Sequence, residues 1–556
     1  MMTLRARTSR ERYRRSFARE PLAAAMAMAG AMGLAGAMGV LLAQAPPPSN
    51  GGSGPATQGV GLIRNDPGAY QGYTLLSPLS SRTTFLIDMN GKVVHTWETD
   101  STPSSIAYLL ENGNLLRAGA LTPSPFGQGV AGSGGRIQEI SWNGDKAWDF
   151  TYASATRIPH HDLARLPNGN VLMIVSDRKS GDEAIAAGRM PSSVQGGEVL
   201  SDSLVEVKPT GKTSGEVVWE WQLWDHLIQD QDRAKANFGD VAAHPERVDI
   251  NFNIVADRRA NADWTHFNAV AYNARLDQVV VSRRNFSEIW IIDHSTTTKE
   301  AAGRSGGKSG KGGDLLYRWG NPRVYRAGTA ADQRLFGQHN VHWIPDGLSG
   351  AGHLLLFNNG DTRPDARYSS ADEIVLPADA SGRYPIQPGG RFGPERAVWS
   401  YTAPNKTDFY SVNISGVMRL PNGNTLICAG APGITFEINP QGTVVWQYNL
   451  PSFAAPRAGG PGRGPAAPGA GPGRGPGPAP GDGAAPGRGD AAGQAAAAGA
   501  GPGGGAGAGR GGPGGGANAG KNVFRAYRYA ANYPGLAGKS LTPGKPLEEM
   551  AVSVTP

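Results

Sequence analysis

A short motif that joins two apolar segments through a tight turn recurs along the chain, and this repetition limits the possible folds more than any other feature. The motif begins with two residues, the second of them apolar, and continues with proline. Either Asn-Gly or Asp-Gly comes next, and an apolar run follows. Copies occupy residues 165–169, 343–347 and 419–423, and a looser copy spans 270–281. Asn-Gly and Asp-Gly pairs form tight turns between strands. One recurring strand–turn–strand unit predicts a repeat architecture.

Each repeat carries a second strand that ends in a turn and a third strand that contains an aromatic residue. Six tryptophans mark this third strand: Trp97, Trp148, Trp219, Trp319, Trp399 and Trp446. Short strands separated by turn residues at blade length are typical of a β-propeller. We therefore predict an all-β, six-bladed β-propeller in which the tryptophans belong to the core. A helical solenoid is disfavoured because the chain shows no helical periodicity.

The first 45 residues have the pattern of an export signal. Seven arginines precede an uncharged stretch rich in Ala, Met and Gly, which ends in Ala-Gln-Ala at 43–45. Such a pattern predicts cleavage, and Arg14-Arg15 resembles a twin-arginine signal. We expect export to the periplasm or secretion, by the twin-arginine route as one option, with no stable membrane association after cleavage. An uncleaved membrane anchor is the alternative.

The composition of the remaining chain indicates four consecutive segments. Residues 46–60 are predicted to be a linker, 61–453 the propeller, and 522–556 its closing strand and a C-terminal tail. Residues 454–521 are almost entirely Gly, Pro and Ala with scattered Arg, which predicts a disordered insertion in the last blade. The formal charge of +7 lies mainly in the signal and this insertion. The propeller is nearly neutral, which argues against nucleic acid as a partner.

Three histidines hold the same position relative to the repeated motif. His161, His266 and His339 each lie four residues before its first position. Equivalent positions of homologous repeats come together where the repeats converge, which in a propeller is the central channel. We expect the three imidazoles to form a functional site. If residues alternate as in a regular strand, the neighbouring His160 is directed to the opposite face.

Two further polar groups are expected beside the histidines. Asn268 is two residues from His266, so alternation places both on one face. The chain then returns through 279–285, which brings either Arg283 or Arg284 near the channel mouth. A guanidinium that is accompanied by imidazole and amide donors suits an oxyanion such as sulfate, phosphate or carboxylate.

The segments around these residues resemble the bacterial arylsulfate sulfotransferases, which need no nucleotide sulfate donor. The resemblance rests on residues 160–163 ahead of 165–170, and on 263–268, 284–289, 337–340 and 419–424. It implies a six-bladed propeller with its site in the central channel, and it implies that His339 is the histidine that is transiently sulfated. It further implies which residues hold the sulfuryl oxygens and assist the departing phenol: His161, His266, Asn268 and Arg284. The resemblance also selects Arg284 over Arg283.

The resemblance predicts a sulfotransferase that moves a sulfuryl group from a phenolic sulfate ester to a phenol through a sulfohistidine. Its partners would be small phenolic sulfates and phenols, with no cofactor and no metal. The oligomeric state stays open, a homodimer being one option. Two alternatives remain: a non-catalytic propeller that binds an anion, and a hydrolase with a three-histidine zinc site. The positive charge of Arg284 beside the histidines argues against a bound cation.

Overall fold

A computed structural model of the chain describes residues 54–127, 132–194, 197–252, 262–379, 381–387, 390–453 and 520–553. The predicted export signal lies outside the described residues, as do the first part of the predicted linker and residues 454–519 of the predicted insertion. Short α-helices lie at Gly181–Ala186, Thr298–Ala301 and Leu547–Ser553. No helix of the described part of the chain is long and apolar enough to cross a membrane.

Strands dominate the fold and assemble into six antiparallel sheets. The strand β1 (Gly61–Asn65) lies at the outer edge of the last sheet. The first sheet contains β2 (Gly72–Pro78), β3 (Thr83–Ile87) and β4 (Val93–Glu98). The second contains β5 (Pro103–Leu109), β6 (Leu115–Ala120), β7 (Gly135–Ile140) and β8 (Lys146–Thr151). The third contains β9 (Arg157–Arg165), β10 (Val171–Ser180), β11 (Glu198–Pro209) and β12 (Gly215–Gln222).

The second half of the chain continues the pattern. After a short parallel pair, β13 (Leu227–Ile228) and β14 (Val248–Asp249), the fourth sheet contains β15 (Phe267–Asn273), β16 (Gln278–Arg283), β17 (Glu288–Asp293) and β18 (Tyr317–Trp319). The fifth contains β19 (His339–Trp343), β20 (Leu354–Asn358), β21 (Ser370–Ile374) and β22 (Trp399–Tyr401). The sixth contains β23 (Ser415–Arg419), β24 (Thr425–Ala429), β25 (Ile434–Ile438) and β26 (Val444–Asn449). The last strand, β27 (Val523–Ala530), pairs with β2 and completes the first sheet.

One strand of each sheet contacts the corresponding strands of its two neighbours, so that the sheets form a closed ring. The ring runs through β27, β5, β9, β15, β19, β23 and back to β27. The fold is therefore the six-bladed propeller that the repeats predict, with these strands innermost.

Both ends of the propeller chain pair with strands from the other end of the sequence, one at the inner edge of a blade and one at an outer edge. The C-terminal β27 is the innermost strand of the first blade, and the N-terminal β1 pairs with β26 of the sixth. Residues 454–519 thus connect the outer strand of the last blade to the inner strand of the first, rather than interrupting the last blade. The two ends of this segment are neighbours, because the N–H of Phe453 donates to the carbonyl of Gly520 at 2.9 Å.

The repeated tryptophans lie on the fourth strand of every blade, counted from the channel, and β1 adds a fifth strand outside Trp446 in the last blade. Five of the six are buried: Trp97, Trp148, Trp219, Trp319 and Trp446. Trp399 is half-buried under the guanidinium of Arg419, which lies 4.9 Å from the ring centre. Cys428 is buried in β24 among apolar neighbours.

The Pro-Asn-Gly motif makes the turn between the two inner strands of a blade. Gly169 has φ = +86°, a region that favours glycine. Asn168 Oδ1 accepts a hydrogen bond from the N–H of Asn170 at 2.9 Å. The side chains of both asparagines donate to Glu206 on the third strand. The motif therefore fixes the turn and also ties it to the rest of its blade.

Candidate active site

The three predicted histidines lie at the same mouth of the channel, on three consecutive innermost strands. His161 lies within β9, His266 immediately precedes β15, and His339 is the first residue of β19. Their exposed fractions are only 3%, 9% and 1%. The ring centres of His161 and His266 are 4.6 Å apart. Phe524 of β27 lies beside His161 and His339, at 5.8 and 6.5 Å between ring centres.

Left-handed residues and irregular strand pairing set the directions of these side chains. His161 and His266 both have φ = +56°, and Asn340, which follows His339, has φ = +55°. The pairing of each inner strand with its neighbour shifts at the same places, between Met173 and Val175, Phe267 and Ala269, and His339 and His342. Non-glycine residues rarely adopt this left-handed region, and bulges re-aim side chains beside active sites. The histidines are therefore held in a conformation that a regular strand would not give them.

The ring of His339 is fixed in one tautomer by Asn359. Oδ1 of Asn359 lies 2.7 Å from Nδ1 of His339, and Nδ2 of Asn359 donates to the carbonyl of Ser411 at 2.7 Å. Because the Ser411 carbonyl orients the amide, Oδ1 is the acceptor and Nδ1 of His339 carries the proton. Burial and the positive charge of Arg284 lower the pKa of His339 well below its ordinary value. The ring is therefore neutral, with its lone pair on Nε2.

His160 stands behind His161 and connects it to a carboxylate. The Nδ1 atoms of the two rings are 2.8 Å apart, and Nε2 of His160 lies 2.9 Å from Oδ1 of Asp202. A carboxylate only accepts, so His160 donates to Asp202 and accepts from Nδ1–H of His161. This leaves a lone pair on Nε2 of His161. The prediction that His160 faces away is wrong, because the left-handed backbone of His161 interrupts the alternation.

His266 has a carboxylate partner of its own. Its Nδ1 lies 2.7 Å from Oδ2 of Asp263. Burial alone would raise the pKa of Asp263, but the charge of His266 and this hydrogen bond hold that pKa below its ordinary value. Asp263 is therefore an ionised acceptor that fixes the proton of His266 on Nδ1. The same histidine segment is anchored by Asp202, which accepts hydrogen bonds from the hydroxyl of Thr265 and from the N–H of Phe267.

Arg284, not Arg283, is the guanidinium beside the histidines. The backbone N–H of Arg284 donates to the carbonyl of His266 at 3.1 Å, and Nη2 of its guanidinium lies 2.7 Å from Oδ2 of Asp361. Arg283 is fully buried, with its guanidinium carbon 3.0 Å from the ring centre of Phe286. Arg283 therefore belongs to the aromatic core of its blade.

Asn268 connects two inner strands. It is fully buried, and its Nδ2 donates to the carbonyl of Gln338 at 2.8 Å, directly before His339. Its Oδ1 is buried without a hydrogen-bond partner in the described part of the chain. Asn268 thus positions the backbone next to His339, while direct binding of substrate by Asn268 stays a prediction.

The closing strand β27 supplies a buried ion pair that the sequence reading did not assign to the site. Nη1 of Arg525 lies 2.7 Å from Oδ2 of Asp162, and both side chains are about 1% exposed. Tyr108 donates to Oδ1 of Asp162 at 2.7 Å, and Nη2 of Arg525 donates to the carbonyl of Asn268. Asp162 follows His161 directly, so the pair and its two partners join the first four blades beside the histidines. The sequence indicated this segment only as the closing strand within 522–556.

Two cavities flank this centre. One of about 370 Å³ is lined by Arg284, Asp361, Gly337 and their neighbours. The other, of about 490 Å³, is lined by Arg525 and by the far ends of the inner strands. No site histidine is among the residues that line either cavity. The ion pair therefore separates the histidine mouth from the opposite mouth of the channel.

The geometry does not support a zinc site. Among the described side chains, no group of three His, Cys, Asp or Glu residues has the arrangement that a metal ion needs. Nδ1 of each site histidine is engaged by a protein group, which is His160, Asp263 or Asn359, so Nε2 is the nitrogen of each ring that is left for a ligand. The lone pair on Nε2 of His339 and the guanidinium of Arg284 suit attack on an anionic ester.

Comparison with known proteins identifies one family. The family described as Arylsulfotransferase (ASST) matches residues 63–455. No curated protein matches the chain. Among solved structures, a protein of unknown function from Bacteroides caccae is 13% identical, covering 68% of this chain and 93% of its own, with a TM-score of 0.37. A virginiamycin B lyase from Staphylococcus aureus is 8% identical, with coverages of 69% and 86% and a TM-score of 0.31. Structural likenesses this distant carry no functional argument.

Proposed function

Since this chain belongs to the arylsulfotransferase family and is an enzyme of that type, we propose that it transfers a sulfuryl group from a phenolic sulfate ester to a phenol through a sulfohistidine at His339. The observation that carries this proposal is the hydrogen bond between Asn359 and Nδ1 of His339. It leaves a neutral, buried ring with a free lone pair on Nε2, which is the form of histidine that can act as a nucleophile.

In the first half-reaction, Nε2 of His339 attacks the sulfur in line with the bond to the phenolic oxygen. The N–S bond forms as the S–O bond breaks, and the phenolate leaves. A protonated His266 gives its Nε2 proton to the departing phenolate. The carboxylate of Asp263, 2.7 Å from Nδ1, stabilises the imidazolium form of His266 before the transfer.

In the second half-reaction, the acceptor phenol takes the place of the released phenol. Its hydroxyl proton passes to Nε2 of His266 as its oxygen attacks the sulfur, and the N–S bond breaks to restore His339. The relay from Asp202 through His160 leaves Nε2 of His161 unprotonated. His161 is therefore suited to accept a hydrogen bond from the phenol hydroxyl rather than to donate one to a sulfuryl oxygen.

Arg284 supplies the positive charge for the sulfuryl oxygens. Its side chain is 24% exposed, and its Nε is buried without a hydrogen-bond partner in the described residues. That N–H is available for an oxygen whose negative charge grows as the transition state forms. Preorganised donors of this kind contribute on the order of 3 kcal/mol each to lowering a barrier. The same magnitude applies to Asn268 if its second N–H also reaches the sulfuryl group.

The proposal is tested by turnover of 4-nitrophenyl sulfate with and without added phenol. We expect phenol to accelerate release of 4-nitrophenol, with the parallel double-reciprocal lines of a ping-pong reaction. His339→Ala should be inactive, whereas His244→Ala, at an exposed histidine, should match the unmodified protein. Binding of the ester without turnover would instead identify a non-catalytic propeller that binds an anion.

The proposal extends to location and partners. The arginine-rich and then apolar first 45 residues support export to the periplasm or secretion. The enzyme then binds phenolic sulfates and phenols outside the cytoplasm and needs no nucleotide donor. It has no stable association with a membrane. Fractionation of cells that express the full chain tests the location, and sedimentation of the purified protein tests the homodimer option.

A further inference from the structure

Asp361 lies in a short segment that contacts two groups of the proposed site at once. The segment opens the loop that follows β20 and consists of Asn359, Gly360 and Asp361. Asn359 holds His339, and Asp361 holds Arg284. Gly360 has φ = +75°, and a Cβ at this position would lie 1.8 Å from the carbonyl oxygen of Tyr368. Only glycine fits there, and its turn lets both neighbouring side chains reach the site.

The carboxylate of Asp361 belongs to the site rather than to the solvent. Its side chain is 17% exposed, and Oδ2 lies 2.7 Å from Nη2 of Arg284. Oδ1 is buried without a hydrogen-bond partner among the described residues. A Cβ on Gly337, two residues before His339, would lie 2.5 Å from Oδ1. The negative charge of Asp361 therefore sits between the guanidinium and the backbone that carries the nucleophile.

The fixed charges around the histidines pair off. Asp361 neutralises Arg284, and Asp162 neutralises Arg525. Asp263 pairs with the imidazolium form of His266 that the proposed reaction uses. Burial keeps His339 neutral, as it does His161. The site thus carries no large excess of positive charge that would favour a multiply charged ligand.

From this arrangement we infer that Asp361 is a specificity-determining residue that matches the site to singly charged sulfate esters and rejects doubly charged phosphate esters. The inference rests on the proposed function. An aryl sulfate carries one negative charge at every ordinary pH, whereas a phosphate monoester passes from one charge to two with a pKa of about 6. The second charge of the phosphate ester gains little from Arg284, which is already paired, and it is repelled by the carboxylate of Asp361.

The test compares Asp361→Asn with the unmodified protein, and measures binding of phenyl sulfate and of phenyl phosphate by calorimetry at about pH 8. We expect the ratio of sulfate affinity to phosphate affinity to fall by about tenfold in Asp361→Asn, because a dianion gains more than a monoanion from the loss of one nearby negative charge. Asp365→Asn is the matched control. It removes the same charge four residues further on, from an exposed side chain, and should leave the ratio unchanged.

A second arm uses only the unmodified protein, so it does not depend on the folding of the variant. Phenyl phosphate should bind more weakly as the pH rises from about 5 to about 8 and the ester gains its second charge. Other charged and titratable groups lie at this cavity or interact with Arg284 or Asp361: Arg323, Tyr410, His339, His266 and Asp263. Phenyl sulfate keeps one charge over this pH range, so its affinity at each pH reports the titration of these groups, and the additional weakening of phenyl phosphate reports its second charge.

The possible outcomes separate this inference from the proposed function. An unchanged ratio in Asp361→Asn, or a phosphate dianion that binds as well as the sulfate, overturns the role of Asp361 even if 4-nitrophenyl sulfate is turned over. A ratio that falls in the variant supports the role of Asp361 even if turnover fails, in which case the proposed reaction alone is refuted.

Discussion

Oδ1 of Asn359 lies 2.7 Å from Nδ1 of His339, and this contact leaves the lone pair of the ring on Nε2. Asn359 is itself held by the carbonyl of Ser411. The ring of His339 is therefore oriented by a residue of the loop that follows β20 and not by the histidine repeat itself.

Replacing Asn359 by alanine should release the ring of His339 from its tautomer. We expect kcat to fall by about 100-fold with little change in KM, since a catalytic histidine that loses its orienting partner loses rate more than binding. Asn413→Ala, at an exposed asparagine nearby, serves as the control. Steady-state rates with 4-nitrophenyl sulfate measure the effect, and an unchanged kcat in Asn359→Ala would refute the tautomer argument.

Removing one member of the Asp162–Arg525 pair should destabilise the propeller strongly. Arg525→Met leaves a buried, uncompensated carboxylate, for which we expect a loss of about 3–5 kcal/mol in the free energy of unfolding by urea. Adding Asp162→Asn to Arg525→Met should recover part of the loss. Arg383→Met, which breaks an exposed pair with Asp379, should cost less than about 1 kcal/mol. Equal losses for the buried and the exposed pair would contradict this account.

His95 should make stability depend on pH. Its ring stacks on Trp142 at 3.7 Å between ring centres, and burial lowers the pKa of His95 to about 4. The unfolded chain keeps the ordinary value of 6.5, so between these values the unfolded state binds the extra proton. The stabilising contribution is complete above about pH 6.5 and is lost as the pH falls towards about 4.

His95→Phe keeps an aromatic ring at this position but does not titrate. We expect its Tm to decrease less than that of the unmodified protein between about pH 7 and about pH 4. Parallel Tm curves for the two proteins over this range would show that His95 is not the group responsible.

The segment 454–519 should be dispensable for folding and turnover. Its ends already meet through the hydrogen bond from Phe453 to Gly520, and β26 and β27 lie on either side of it. A short Gly/Ser linker should therefore join them without strain. Thermal unfolding and aryl sulfate turnover of the shortened chain test this. A loss of most activity at an unchanged Tm would assign the segment a part in substrate capture.

Much of the fold could be predicted from the sequence because local patterns and blade structure share one period. The tryptophans mark the outer strand of each blade, and the Pro-Asn-Gly turns mark the inner pair. The common offset of His161, His266 and His339 likewise follows from the repeat. A further turn of this kind lies at 111–114, where Asn114 donates to Glu139. It lacks the proline of the other copies and is therefore harder to recognise in the sequence.

The groups that support the histidines could not be predicted, because they depend on contacts between distant segments. Arg525 meets Asp162 only because β27 closes the first blade. The alternation of side chains along a strand did not predict the direction of His160, because the backbone of His161 is left-handed. A His-His pair in a sequence does not indicate such a conformation. Spacing left Arg283 and Arg284 equivalent, and their roles separate only once Arg283 is seen packed on Phe286.

The central claim, that His339 carries the sulfuryl group, is tested most directly by trapping the intermediate. The protein is incubated with a ³⁵S-labelled aryl sulfate and no acceptor, digested at alkaline pH, and its labelled peptide is identified. The account predicts label on His339, none in His339→Ala, and slower labelling of His339 in His161→Ala, which removes a helper but keeps the nucleophile. Label on His161 or His266 in the unmodified protein would contradict it.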